Sequence, residues 1–173
     1  ARICGTFPEE NDEITVEYAG DWLDLELERL IEKKYTGAQV TKDMVRKWKE
    51  KNSYVGGDIK EILVDLSVEG KSQTVDIGDL LESACDSLAQ NLGVAIKRII
   101  SGGDPEYQPL FRKNIYLAGG SSQIKGLAEK VTGYISDIGD VSVSAVKKPL
   151  EKVAEGALAL AEAMPDEEYT SIN

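Results

Sequence analysis

The chain has 173 residues, 42% of them hydrophobic, which is enough for a packed core in one domain or one domain carrying an insertion. Its 31 acidic residues against 20 basic ones give a net charge of −11, which repels nucleic acid and anionic membranes unless a local basic patch intervenes, and the sequence has no such patch. Histidine is absent, which excludes imidazole triads and ordinary histidine-containing zinc sites; no run approaches the roughly 18 to 20 apolar residues of a membrane-spanning helix.

In chain order, Ala1–Thr6 and Glu13–Tyr18 flank the polar turn Pro8-Glu-Glu-Asn-Asp12 and predict a strand hairpin. A start inside a strand is expected of a piece of a longer protein. With no basic segment followed by an apolar one, a cytoplasmic location is expected. Cys4 and Cys85 lack CxxC spacing, and Cys85 falls on an apolar stripe, so both are expected to be reduced and buried.

Leu23, Leu27, Leu30 and Ile31 predict a helix ending near Thr36-Gly37, where glycine supplies a left-handed cap. Thr41 opens a second helix, running to about Tyr54 and stopping at Gly56-Gly57; its mixed charges, Lys42 to Lys51, read as a solvated face. Strands over Ile62–Val68 and Ser72–Ile77 flank Glu69-Gly-Lys71, a hairpin signal.

Leu81, Ala84, Cys85, Leu88, Leu92, Ala95, Ile96 and Ile99 form one stripe of a long helix from about Ile77 to Ile100. After a short turn or helical piece, Ile115–Ala118 is apolar on consecutive positions, as expected for a strand covered on both faces. Gln123 to Ile135 is expected to be helical and Val141–Val146 a strand. Pro149 then opens a helix ending near Met164, and the polar tail is expected to fray. Strand–helix alternation in the second half predicts an α/β fold; 38–75 reads as an inserted small helix-plus-hairpin subdomain within a larger unit of 1–37 and 76–173.

Asn114-Ile-Tyr-Leu-Ala-Gly-Gly-Ser-Ser-Gln-Ile-Lys-Gly126 is the stretch most suggestive of chemistry. Gly119 and Gly120, after a strand and before a helix, put backbone N–H groups and a positive helix end at the carboxyl edge of the sheet, where α/β folds bind ligands. A tight turn needing positive φ at one glycine is the competing explanation. The stretch matches neither the P-loop nor the dinucleotide fingerprint. Trp22 and Trp48 lie beside apolar helical positions and read as packing residues, while for Asp24 a helix-surface or capping role stands even with a functional one.

Three segments together resemble the bacterial actin-like ATPase family. Ala118–Val131 is similar to its adenosine motif, Trp48-Lys-Glu-Lys-Asn-Ser-Tyr-Val55 to the segment that covers adenine and ribose, and Ala19-Gly-Asp-Trp-Leu-Asp24 to the start of the helix after the second phosphate hairpin. Ser53-Tyr-Val-Gly56, Pro105-Glu-Tyr-Gln108 and Gly156-Ala-Leu158 look most like the magnetosome-filament branch, with the MreB branch next. The resemblance implies an actin-like (ribonuclease H-like) half-domain, and Lys49 and Glu50 at the adenine and ribose. By the same resemblance Gly119 and Gly120 lie against the nucleotide, Ser121, Gln123 and Ile124 complete the base pocket, and Gly20 and Asp21 approach ribose and phosphates. An ordinary exposed charge pair is the alternative for Lys49 and Glu50.

The family's two phosphate hairpins and water-positioning residue have no match in this sequence, so the resemblance is to the C-terminal half. It implies ATP or ADP with Mg²⁺ as ligand in the complete protein, no catalytic or metal-binding residue in this chain, and no turnover by this chain alone. Expected partners are filament protomers and the missing N-terminal half, with neither nucleic acid nor membrane insertion, in a cytoplasmic, cytoskeletal setting. Half of a sugar-kinase or chaperone-type ATPase, or a non-catalytic actin-fold adaptor, are the competing possibilities.

Overall fold

The computed structural model describes residues 13–163. The first strand and the turn of the expected N-terminal hairpin, Cys4 and the polar tail lie outside them; Glu13–Tyr18, expected as the second strand, is described and forms no strand. The elements run α1 (Gly20–Lys34), β1 (Ala38–Gln39), α2 (Lys42–Asn52), β2 (Leu63–Val68), β3 (Lys71–Asp76), α3 (Gly78–Gly102), α4 (Gln108–Lys113), β4 (Ile115–Leu117), α5 (Leu127–Ile135), β5 (Val143–Ala145) and α6 (Pro149–Ala163).

Leu23, Leu27 and Ile31, four residues apart on α1, are fully buried, and Lys33 and Lys34 occupy the last turn, where cations complement the helix dipole. Gly37, at φ +81°, then turns the chain into β1. Thr41 caps α2, its hydroxyl accepting from Met44 N at 3.3 Å. The β2–β3 hairpin closes through Glu69 and Gly70, both at positive φ (50° and 77°), the two-residue geometry whose twist matches paired strands.

The described strands form an antiparallel sheet in the order β1-β2-β3 and a parallel pair β4-β5, the latter joined by a crossover through α5. α3 packs against both α1 and α5. Its Gly93 permits the close approach of α5: an added Cβ would stand 3.1 Å from Tyr134 Cβ. One continuous hydrophobic cluster joins Leu23 and Leu27 of α1, Val45 of α2, Val64, Leu66 and Val75 of the hairpin, the α3 stripe, and Leu127, Val131 and Ile135 of α5. Cys85 lies inside it as a free thiol, and burial pushes its pKa up to about 11.

Three further sequence expectations are corrected. α2 ends at Asn52 rather than Tyr54, because Ser53 takes an extended conformation (φ −58°, ψ 131°) and Tyr54 turns inward to 2% exposure. A 3₁₀ turn over Gly120–Gln123 intervenes before α5, which starts at Leu127 instead of Gln123, since Gly126 adopts the left-handed conformation. β4 is not covered on both faces among the described residues: Tyr116 is 67% exposed. Trp22 and Trp48 pack against the core as expected, Trp22 also meeting Tyr18 edge-on at 5.1 Å.

Candidate functional site

A cleft of about 1070 Å³ opens where the start of α1, the end of α2 and the turn after β4 meet. Its polar wall carries Gly20, Lys49, Glu50, Ser121 and Gln123; its apolar wall comes mainly from α3, α4 and β4, with Ile124 at the junction. The volume is at the upper end of the range for small-molecule sites, and the mixture of apolar walls with a few convergent polar groups is characteristic of them. Of the nine residues expected at the site, eight line this cleft. Asp21 does not: its side chain is 97% exposed and faces Arg46 at 3.8 Å.

The turn after β4 is built around glycine for two separate reasons. Gly119 sits at φ +87°, ψ 175°, a backbone conformation that side chains disfavour. Gly120 has no positive φ, and a Cβ added there would find nothing within 4 Å, so its missing side chain leaves room in the cleft rather than relieving a clash. The first amides of the following turn, those of Gly120 and Ser121, have no acceptor within it and can donate to a ligand. Ser122 is buried and donates to Gly119 O at 2.7 Å; Gln123 Nε2 donates to Ser122 Oγ and to Val146 O, both at 3.0 Å. Those bonds tie the turn to the end of β5.

On the opposite wall, Glu50 is exposed at the end of α2, while Lys49 departs from the solvated face that its charged neighbours suggest. Its side chain is only 14% exposed, with Nζ 2.5 Å from Asp24 Oδ1 and donating to Gly20 O at 2.9 Å. Gly20 completes the corner: a Cβ there would lie 3.7 Å from both Lys49 Nζ and Ser121 Oγ. α1, α2 and the glycine turn thus approach one another at a single point.

Two residues that sequence reasoning did not single out fix this convergence. Gly126 lets the 53–57 segment dock: Val55 N donates to Lys125 O at 2.8 Å, and Tyr54 bridges Lys125 in parallel register. The sequence signal for it is the glycine that closes the Asn114–Gly126 stretch. Tyr54 anchors the same segment, its hydroxyl accepting from Lys60 N at 2.7 Å and donating to Gly78 O at 3.3 Å. Glu82 adds an acceptor for Gly56 N at 3.3 Å. Among the described residues no group of three or more acidic or thiol side chains could hold a metal ion.

No protein-family model matches the chain. It is 31% identical to the actin-like protein MamK of Paramagnetospirillum magneticum, the match covering 98% of this chain and 50% of that protein. The identity with MamK of Magnetospirillum gryphiswaldense is also 31%, over 98% of this chain and 48% of the relative. The chain therefore spans about half the length of the curated relatives it matches. Among solved structures, the MamK double helical filament superposes with a TM-score of 0.85 at 32% identity, over 93% of this chain and 50% of that one. A non-polymerising MamK mutant bound to AMPPNP gives a TM-score of 0.82 at 32% identity, over 91% and 49%. No helix among the described residues is long and apolar enough to cross a membrane. With sequence likeness and backbone geometry in agreement along nearly its whole length, the chain is a homologue of about one half of the actin-like MamK proteins and has their α/β fold.

Proposed function

We propose that this chain is the nucleotide-binding, C-terminal half of a bacterial actin-like cytoskeletal filament protein, taking the adenosine of ATP or ADP in the cleft between α2 and the glycine turn. The observation that carries this is the meeting of Lys49 and Glu50 with Gly119, Gly120 and Ser121 around one cavity. Further support comes from a matched MamK structure that is bound to AMPPNP. The Lys49 stem would lie along the base, Glu50 would accept from ribose hydroxyls, and the amides of the turn would face the sugar and phosphates. Gly20 would border the ribose. Asp21, turned to solvent, would reach the ligand only by changing rotamer.

No residue of this chain is assigned to Mg²⁺: the described residues gather no group of three or more acidic or thiol side chains. Positioning and electrostatic work on the γ-phosphate would fall to groups outside this chain, which alone should not turn over ATP. In the complete protein, self-association into filaments and packing against the other half are the proposed partnerships, in the cytoplasm.

Calorimetric titration with ADP tests the cleft. The wild-type chain should bind and Glu50→Ala should bind at least about tenfold more weakly, the equivalent of one lost hydrogen bond to a charged group. Equal binding by both proteins would remove Glu50 from the site. Absence of binding by the wild-type chain at millimolar ADP would count against the half-site being sufficient.

A further inference from the structure

From the corner where α1 meets α2, we infer that Asp24 is a positioning residue that latches Lys49, fixing which part of that lysine the cleft sees. Asp24 is 5% exposed although it lies on the same buried helix face as Leu23 and Leu27. Its Oδ1 is 2.5 Å from Lys49 Nζ, and Oδ2 is 3.6 Å from Nε of the half-exposed Arg46, one turn earlier on α2. Lys49 Nζ also donates to Gly20 O, so the ammonium is held by an anion and a carbonyl belonging to the same helix start.

Burying two charges costs desolvation energy that their attraction commonly fails to exceed, so such a pair is poorly explained as a source of stability. Its consequence is geometric. Lysine is otherwise a flexible four-carbon stem with a mobile point charge. With the charge neutralised at the α1 terminus, the stem is left as a fixed apolar strip on the cleft wall, and the ammonium is withheld from any anion bound there. That wall then suits an uncharged planar group rather than a phosphate. This last step rests on the nucleotide reading of the cleft, whereas the latch does not.

The test uses the full chain. In lysine-selective NMR, the Lys49 ammonium protons should be protected from exchange in the wild type and lose that protection in Asp24→Asn; unchanged protection in the variant would overturn the latch. In ADP titrations, Asp24→Asn and Lys49→Met should each weaken binding roughly tenfold, and the double variant no further, because both remove one constraint. Additive losses that track a lowered melting temperature would show Asp24 to be merely structural and overturn the inference. Should Asp24→Asn fail to fold, Asp24→Leu combined with Lys49→Met removes both charges. That pair should fold and bind ADP as Lys49→Met does; weaker binding than Lys49→Met would count against it. Loss of Lys49 protection in Asp24→Asn, with no ADP binding by the wild type, would support the latch while removing the nucleotide reading.

Discussion

The carbonyl oxygen of Val55 stands 2.1 Å from the point a Cβ on Gly126 would occupy. No side chain fits there, and the φ of +81° disfavours one independently. Since this contact seats the end of α2 beside the glycine turn, Gly126→Ala is expected to destabilise the chain by about 2 to 4 kcal/mol, the range for overpacking combined with backbone strain. Denaturant unfolding measures the loss. Nucleotide binding should be impaired even under conditions where the variant is fully folded, because the docked segment follows directly on the end of α2, which carries Lys49 and Glu50.

Gly120 provides the opposite case. An added side chain meets nothing in the folded chain, so Gly120→Ala and Gly120→Val should melt close to wild type, within about 1 kcal/mol for the alanine variant. Binding of ADP should nonetheless fall steeply with side-chain size. A valine variant that binds as the parent does would show that the ligand does not lie against this backbone.

Acid should loosen the junction between the hairpin and α3. Asp76 Oδ1 accepts from Ile62 N at 2.8 Å and Gly78 N at 2.9 Å, and those amides hold its carboxyl below the usual carboxylate range. Because the folded-state pKa is depressed, the stabilisation is complete above the unfolded-state pKa and is lost as pH falls through the lower, folded-state value. Asp76→Asn should therefore be less stable than wild type near neutrality and nearly equal to it in strong acid. Melting curves at a series of pH values check the convergence.

The Cys85 thiol should be inert in the native chain. It is buried, and with a pKa near 11 little thiolate exists at pH 8, while attack on a labelling reagent requires the thiolate. Mass spectrometry after alkylation should find Cys85 modified in denaturant and unmodified without it. Rapid native labelling would mean that the α3 helix opens far more readily than its packing implies.

Much of this architecture was legible in the letters. The α3 stripe, the hairpin with Glu69-Gly70 at its tip and the cap at Thr41 are local events with local signals, and periodicity or turn chemistry reports them directly. What escaped depends on contacts distant in sequence. Gly126 breaks the helix expected from Gln123 because Val55, some seventy positions earlier, docks there. The buried Tyr54 shortens α2 for a related reason, through its bonds to Lys60 and Gly78. In β4, an apolar run reveals a shortage of polar residues but not which face another layer covers, so Tyr116 was misjudged. At the site, the family resemblance pointed to eight residues of the cleft, yet for Asp24, an acid flanked by Leu23 and three positions before Leu27, a helix-surface or capping role stood even with a functional one, because sequence alone does not report its burial.

The apolar cluster shared by the hairpin, α2, α1, α3 and α5 joins these described elements without a thermodynamic seam between them. Heat should melt it as one cooperative unit, with calorimetric and van't Hoff enthalpies in agreement. These elements would then travel together as a single rigid jaw.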